Sequence, residues 1–393
     1  MRRKNNTWLL YAALAVIVCV VTSNNVGAES KAFVFEAYGT SDGAKIRGRV
    51  VEHSPSLDEP SENTTLVGRT RKSLGLLRLK PKPNEHVVIN LGNYRGVATT
   101  DEGGYFEWTL SASELIRNEI KPGEIPIRIE NIGGEEHFGE GTLYVLPRNG
   151  KVAVVDIDGT ILDDEPDKKV KLAWNTLVND SKTLKMFPGT AQFLQFLVKE
   201  NFSIVYMSSS PDQLYPRLNR FVEHNGMPPG PFVLKRLSKD KTKEGKRQKN
   251  SLVEHQAYKL RNLNDINRLL PRHQFFLVGD DANDDQEVFE TFGKDIGAER
   301  IVLAAIHSQR RESKQVDVKG QFRFTDYKDL RQKLILSLPG AYKRTLSRRS
   351  QLSADELRAP KRVQRGPSSR YKTPERALTS TKRQKRGPQL RRQ

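Results

Sequence analysis

Beyond residue 150 the apolar positions fall in short, nearly continuous runs, at 152–155, 203–207, 274–278 and 301–305, with Ser203 and Gln274 the polar residues at their starts. Runs of this kind suit strands covered on both faces, as in a parallel sheet packed between helices. Between them, residues 190–200, 214–225, 252–270 and 285–292 repeat their apolar residues at helical spacing. Alternating strands and helices predict a doubly wound α/β region over 150–338. Its site is expected at the carboxyl ends of the strands.

The pattern before residue 150 is different. Strand-like pieces at 32–38, 44–51, 86–91, 104–110, 125–129 and 142–146 are separated by turn formers such as Ser41-Asp42-Gly43 and Pro81-Lys82-Pro83-Asn84. This predicts a small antiparallel β-sandwich over 29–149. No cluster of catalytic residue types lies in it, so it is expected to be non-catalytic.

The two ends change the picture further. Arg2, Arg3 and Lys4 precede an apolar run of ~14 residues, shorter than the ~20 of a membrane span, and Val26-Gly27-Ala28 follows a polar stretch. Residues 1–28 therefore read as a signal peptide that exports the chain to a periplasmic or extracellular site, with an N-terminal membrane anchor as the alternative. Cys19 is the single cysteine, which excludes a disulfide framework and any cysteine metal site. The 393 residues carry 66 Lys+Arg against 47 Asp+Glu, a net charge of +19. Residues 341–393 hold 17 Lys/Arg and 3 Asp/Glu, so +14 of that charge sits there. The 339–393 segment has few apolar residues and reads as a disordered basic tail. Its expected partner is an anionic membrane or envelope surface. The body is nearly neutral, which argues against nucleic acid as a partner. Nothing in the sequence fixes the oligomeric state.

Chemistry enters at Val155-Asp156-Ile157-Asp158-Gly159-Thr160, where an apolar run meets two carboxylates spaced by one residue. Alternation along a strand would put Asp156 and Asp158 on one side. Neighbouring carboxylates repel unless a cation lies between them, and a hard oxygen site suits Mg²⁺. A second strand, ending Val278-Gly279-Asp280-Asp281 with Asp284 and Asp285 in the next turn, supplies more acid. Ser208 follows the 203–207 run, and Lys259 sits in the 252–270 helix.

In that chain order, these features resemble the haloacid-dehalogenase superfamily of phosphotransferases. The resemblance implies Asp156 as nucleophile and Asp158 as general acid and base. It implies Thr160, Ser208 and Lys259 as phosphate-binding groups. It also implies Asp156, Asp158 (through its carbonyl) and Asp280 as Mg²⁺ ligands, with Asp285 behind them. Asp281 and Asp284 are open between a site role and a solvated turn.

Further stretches narrow the likeness: Phe187-Pro188-Gly189-Thr190, Ser210-Pro211-Asp212-Gln213, Asn225-Gly226-Met227-Pro228-Pro229, Tyr258-Lys259-Leu260 and Gly279-Asp280-Asp281-Ala282-Asn283-Asp284-Asp285. Together they resemble the phosphatidate phosphatase catalytic domains of the yeast actin-patch-protein type, relatives of the lipins. Gly159, the pair Asp281-Ala282, and Asp212 depart from the usual pattern of that family. The resemblance implies a Mg²⁺-dependent phosphatase for phosphatidate or another lipid phosphate. Alternatives are a phosphatase for soluble phosphomonoesters and a catalytically silent lipid-binding module. The 161–186 segment is expected to form a small cap over the site.

Overall fold

The protein is described here by a computed structural model covering residues 29–54, 57, 75–76, 78–132, 137–163, 184–236, 251–281, 284–308 and 320–338. The expected signal peptide with Cys19, the basic tail and most of the expected cap lie outside the described residues. Among the described residues, no helix is long and apolar enough to cross a membrane.

The N-terminal half is a seven-stranded sheet. Its strands are β1 (Ser30–Thr40), β2 (Gly43–Glu52), β3 (His86–Leu91), β4 (Tyr94–Thr99), β5 (Tyr105–Ser111), β6 (Gly123–Asn131) and β7 (His137–Val145). They lie in the order β4-β3-β6-β7-β1-β2-β5. Every neighbouring pair is antiparallel except β1 and β7, which run parallel. The expected sandwich thus takes the form of one sheet curled into a barrel-like shape. Its two edge strands meet where Tyr94 of β4 packs on Trp108 of β5, ring centroids 5.3 Å apart. Inside the curl, Ile46, Val87, Ile89, Phe106, Leu110, Ile129 and Leu143 form a core with almost no exposure. A short helix, α1 (Ala112–Arg117), leaves β5 through a capping box. Ser111 Oγ accepts from the Glu114 N–H while Ser111 N–H donates to Glu114 Oε2.

The second half is the expected doubly wound α/β structure. Its six strands are β8 (Gly150–Asp156), β9 (Phe202–Pro211), β10 (Phe232–Lys235), β11 (His273–Asp280), β12 (Ile301–His307) and β13 (Gln321–Phe324). They lie in the order β10-β9-β8-β11-β12-β13, all parallel. The helices are α2 (Thr190–Lys199), α3 (Tyr215–His224), α4 (Ser251–Leu269), α5 (Asp285–Ile296) and α6 (Tyr327–Ser337).

Alternation along β8 explains its unbroken apolar run. Ala153 and Val155 enter one core with Phe193, Phe276 and Leu330, while Val152 and Val154 enter another with Leu263, Phe275 and Phe292. Both faces are covered, so both must be apolar. Each fully buried Phe in these layers contributes roughly 1.5–3 kcal/mol. From β8 the chain first builds outward to β9 and β10, then returns to add β11, β12 and β13. That reversal leaves a crevice beside the carboxyl end of β8, the usual ligand position in open α/β sheets.

Candidate active site

The acidic residues at the ends of β8 and β11 converge at this crevice. Asp156 is the last residue of β8, and Asp280 the last of β11. Asp285 opens α5, one turn beyond. Each of the three offers a carboxylate oxygen within 4.8 Å of the others, and all three side chains are buried. The Lys259 ammonium, from α4, lies among them at 3.1 Å from Asp156 Oδ1 and 2.5 Å from Asp285 Oδ1. Asp285 Oδ2 also accepts from the Asp280 N–H at 3.0 Å. One carboxylate therefore holds both the lysine and the end of β11.

This seating needs a glycine. A Cβ on Gly279 would stand 2.2 Å from Asp285 Oδ2, so the carboxylate occupies the space a side chain would fill.

Three clustered carboxylates against one ammonium leave a formal charge of −2 in a water-poor pocket. Burial, above all, pushes the Asp156 carboxyl well above the ordinary carboxylate range; Asp285, Asp280 and Asp158 push the same way, against Lys259. For Lys259, burial works toward neutrality, but Asp156 and Asp285 outweigh it and hold the ammonium charged. Among the described residues, Asp156 Oδ2 is buried without a hydrogen-bond partner. A hard, all-oxygen donor set with an excess of two negative charges and an unsatisfied oxygen fits a divalent cation. Asp156, Asp280 and Asp285 are the carboxylates that would hold it or hold its ligands in place.

Asp158 lies two residues past Asp156, beyond the strand end. Its carboxylate is not one of the three that cluster, so its side chain takes no part in the acid triad. Instead Asp158 Oδ2 accepts from Ser208 Oγ at 2.5 Å and from Ser210 Oγ at 2.8 Å. The serines reach it from an irregular end of β9. Between Met207 and Pro211 that strand advances four residues while its partner β10 advances from Val233 only to Lys235. The Ser210 N–H donates back to Ser208 Oγ at 2.8 Å, and the Tyr258 hydroxyl donates to the Ser208 carbonyl at 3.1 Å.

The Asp158–Thr160 turn is held from the other side. Gly159 has φ 79°, in the left-handed region that glycine enters at little cost. Its carbonyl lies 3.0 Å from His307 Nδ1, and the Thr160 carbonyl accepts from the Tyr327 hydroxyl at 2.6 Å. Thr160 is fully buried, and its Oγ1 has no partner among the described residues.

The contacts join Asp156, Asp280, Asp285 and Lys259 in one cluster and tie Asp158 to Ser208, while Thr160 stands in the turn that follows Asp158. Ser208 holds the Asp158 carboxylate, and Lys259 bridges Asp156 to Asp285. Asp281 lies outside the cluster: it accepts from Ser308 Oγ at 2.8 Å and pairs with Arg323 at 3.3 Å. Asp284 stands at the N-cap of α5. Sequence reasoning missed Ser210, His307 and Tyr327 as supports. Ser210 stands two residues from Ser208 and His307 ends an apolar run, so strand-end position was an available signal for both. Tyr327 carries none.

Comparison with known proteins points the same way. No curated protein sequence matches the chain. Among solved structures, a phosphoserine phosphatase from T. onnurineus is similar at 16% identity, covering 48% of this chain and 95% of that one, with a TM-score of 0.29. A D,D-heptose 1.7-bisphosphate phosphatase from B. bronchiseptica is similar at 15% identity, covering 48% and 99%, with a TM-score of 0.31. Likeness at those TM-scores decides nothing about this site. A family model is more specific. Residues 152–307, the span from β8 to the end of β12, match the family described as Phosphatidate phosphatase APP1, catalytic domain, the one that the motifs resemble.

Proposed function

We propose that the protein is a Mg²⁺-dependent phosphatase that hydrolyses phosphatidate or a closely related lipid phosphomonoester through an aspartyl-phosphate on Asp156. One observation carries the reading: the buried Asp156 carboxylate has an oxygen free of hydrogen bonds, and Asp158 stands two residues away with one oxygen held by two serines. The lipid substrate is taken from the family matched by residues 152–307.

The residues divide the work. An Asp156 oxygen attacks phosphorus, and the bond from phosphorus to the ester oxygen breaks. Ser208 and Ser210 occupy Asp158 Oδ2, leaving Oδ1 to carry the proton that the departing alkoxide needs. The same Asp158 oxygen then takes a proton from the water that cleaves the acyl phosphate. Lys259 fixes Asp156 and places positive charge where phosphoryl oxygens arrive. A bound Mg²⁺ would screen the anionic phosphate from the carboxylate that attacks it.

The test is phosphate release by the purified protein from phosphatidate in mixed micelles and from p-nitrophenyl phosphate, with and without Mg²⁺. Mg²⁺-dependent turnover, with kcat/KM favouring the lipid, is expected. A preference for the soluble ester would move the substrate to soluble phosphomonoesters. Micelle binding without turnover of either ester would make the chain a lipid-binding module.

A further inference from the structure

The ties that hold Asp158 do not end within the α/β half. The irregular end of β9 runs through Pro211 into a 3₁₀ turn, Asp212–Leu214, and all three turn residues are buried. Asp212 is an acid whose side chain has no exposure. Its cationic partner comes from the seven-stranded sheet: Arg49 of β2 places Nη1 3.4 Å from Asp212 Oδ1. With the Gln213 amide turned so that its nitrogen donates to Asp212 Oδ1 at 2.8 Å, its oxygen accepts from Arg49 Nη1 at 2.8 Å. Arg49 is itself fixed on its own side, where Nε donates to the Gly103 carbonyl at 2.9 Å.

Tyr105 of β5 completes the junction. Its ring packs against the guanidinium groups of both Arg49 and Arg236, at 4.9 Å and 4.4 Å from the centroid. Arg236 follows the last residue of β10 and reaches Asp101 at 3.8 Å. The seven-stranded sheet therefore grips the carboxyl-end loops of both β9 and β10. A buried anion tolerates little freedom in its partner, because a lost contact leaves it unpaired.

We propose that Arg49 is a positioning residue for the general acid: its buried pair with Asp212 fixes the end of β9, and through Ser208 and Ser210 the direction of the Asp158 carboxylate. The inference rests on Asp158 being the acid of the proposed reaction. It gives the seven-stranded sheet a part in the chemistry at one remove: Arg49 pairs with Asp212, the backbone through Pro211 joins Asp212 to the serines, and the serines hold Asp158. A displacement of about 1 Å at an acid is enough to cost ~100-fold.

Leaving groups give the distinguishing test. A short-chain phosphatidate expels an alkoxide that needs a proton, whereas p-nitrophenyl phosphate expels a phenolate that does not. kcat/KM reports the step in which that group leaves. In the full-length protein, Arg49→Met should lower kcat/KM for the alkyl ester about tenfold or more, and for the aryl ester less than about threefold. Asp212→Asn, which leaves no buried anion unpaired, should show the same selectivity, and Arg49→Lys should recover part of the alkyl activity. Equal losses on the two esters, or no loss in folded variants, would overturn the assignment. Loss of folding in both variants would also overturn it, making the pair a requirement of the fold alone. A wild-type protein inactive on both esters would remove the proposed function itself, whereas an active one with an unchanged alkyl-to-aryl ratio would remove only this inference.

Discussion

The two sheets use their polar residues in opposite ways. In the six-stranded sheet the carboxylates gather at strand ends, where Asp156 and Asp280 meet a lysine in a pocket with an excess of negative charge. In the seven-stranded sheet the buried acid Glu36 lies mid-strand and is neutralised by Lys45 at 2.7 Å and Arg47 at 2.6 Å, both on β2. One cluster is left short of positive charge and the other is not. Charge balance, rather than the presence of buried acids, is what separates a site from a structural ion pair.

That contrast can be broken most sharply at Asp156. Asp156→Asn keeps the shape but has no oxygen able to attack phosphorus, and kcat should fall roughly 10⁴-fold or more. Assay of a preparation free of other phosphatases decides it; substantial residual turnover would move the nucleophile elsewhere.

The seven-stranded core should respond through stability instead. Phe106 of β5 is 1% exposed, and its ring fills the space beside Gly48. Phe106→Ala should cost about 3–5 kcal/mol of stability, read from denaturant unfolding. Activity per folded molecule should hardly change. A large loss of kcat at unchanged stability would erase the division between this apolar core and the site.

Asp280→Ala removes a single oxygen donor from the crevice. The Mg²⁺ concentration for half activity should rise about 10- to 100-fold. An unaltered metal titration would shift that role to Asp285.

The smallest effect is expected at the basic C-terminus. Residues 341–393 carry +14, and a basic residue near an acidic membrane gains about 1 kcal/mol. Removing them should leave turnover of a soluble ester unchanged and lower turnover on anionic vesicles, with the gap closing as salt rises. Equal vesicle activity at low salt would make the segment a solvated extension.

Much of this was legible in the chain because both signals are local. Strands buried on two faces must be apolar throughout, so β8, β9, β11 and β12 stand out as runs. The acids at their ends mark where the sheet meets the crevice. What escaped depends on distance. β10 and β13 have only four residues each, too few for a pattern. β4 was hidden by Gly96, where a side chain would collide with the Trp108 ring of β5. That the sandwich would close on itself, with β1 and β7 parallel, was equally out of reach. Within the site, residue types and order singled out the acids, Ser208 and Lys259, which the structure places at the ends of β8, β9 and β11 and on α4 and α5. The tie from Arg49 to Asp212 joins positions 163 apart. Tyr327 acts on Thr160 from 167 residues away, and no spacing in the sequence records either contact.

The most direct test of the central claim is to quench the protein in acid during Mg²⁺-dependent turnover and map covalently bound phosphate by peptide mass spectrometry. The account predicts phosphate on the peptide bearing Asp156, released by hydroxylamine and absent from Asp156→Asn. Phosphate on another residue, or steady turnover with no trapped phosphoenzyme under conditions that slow its hydrolysis, would contradict it.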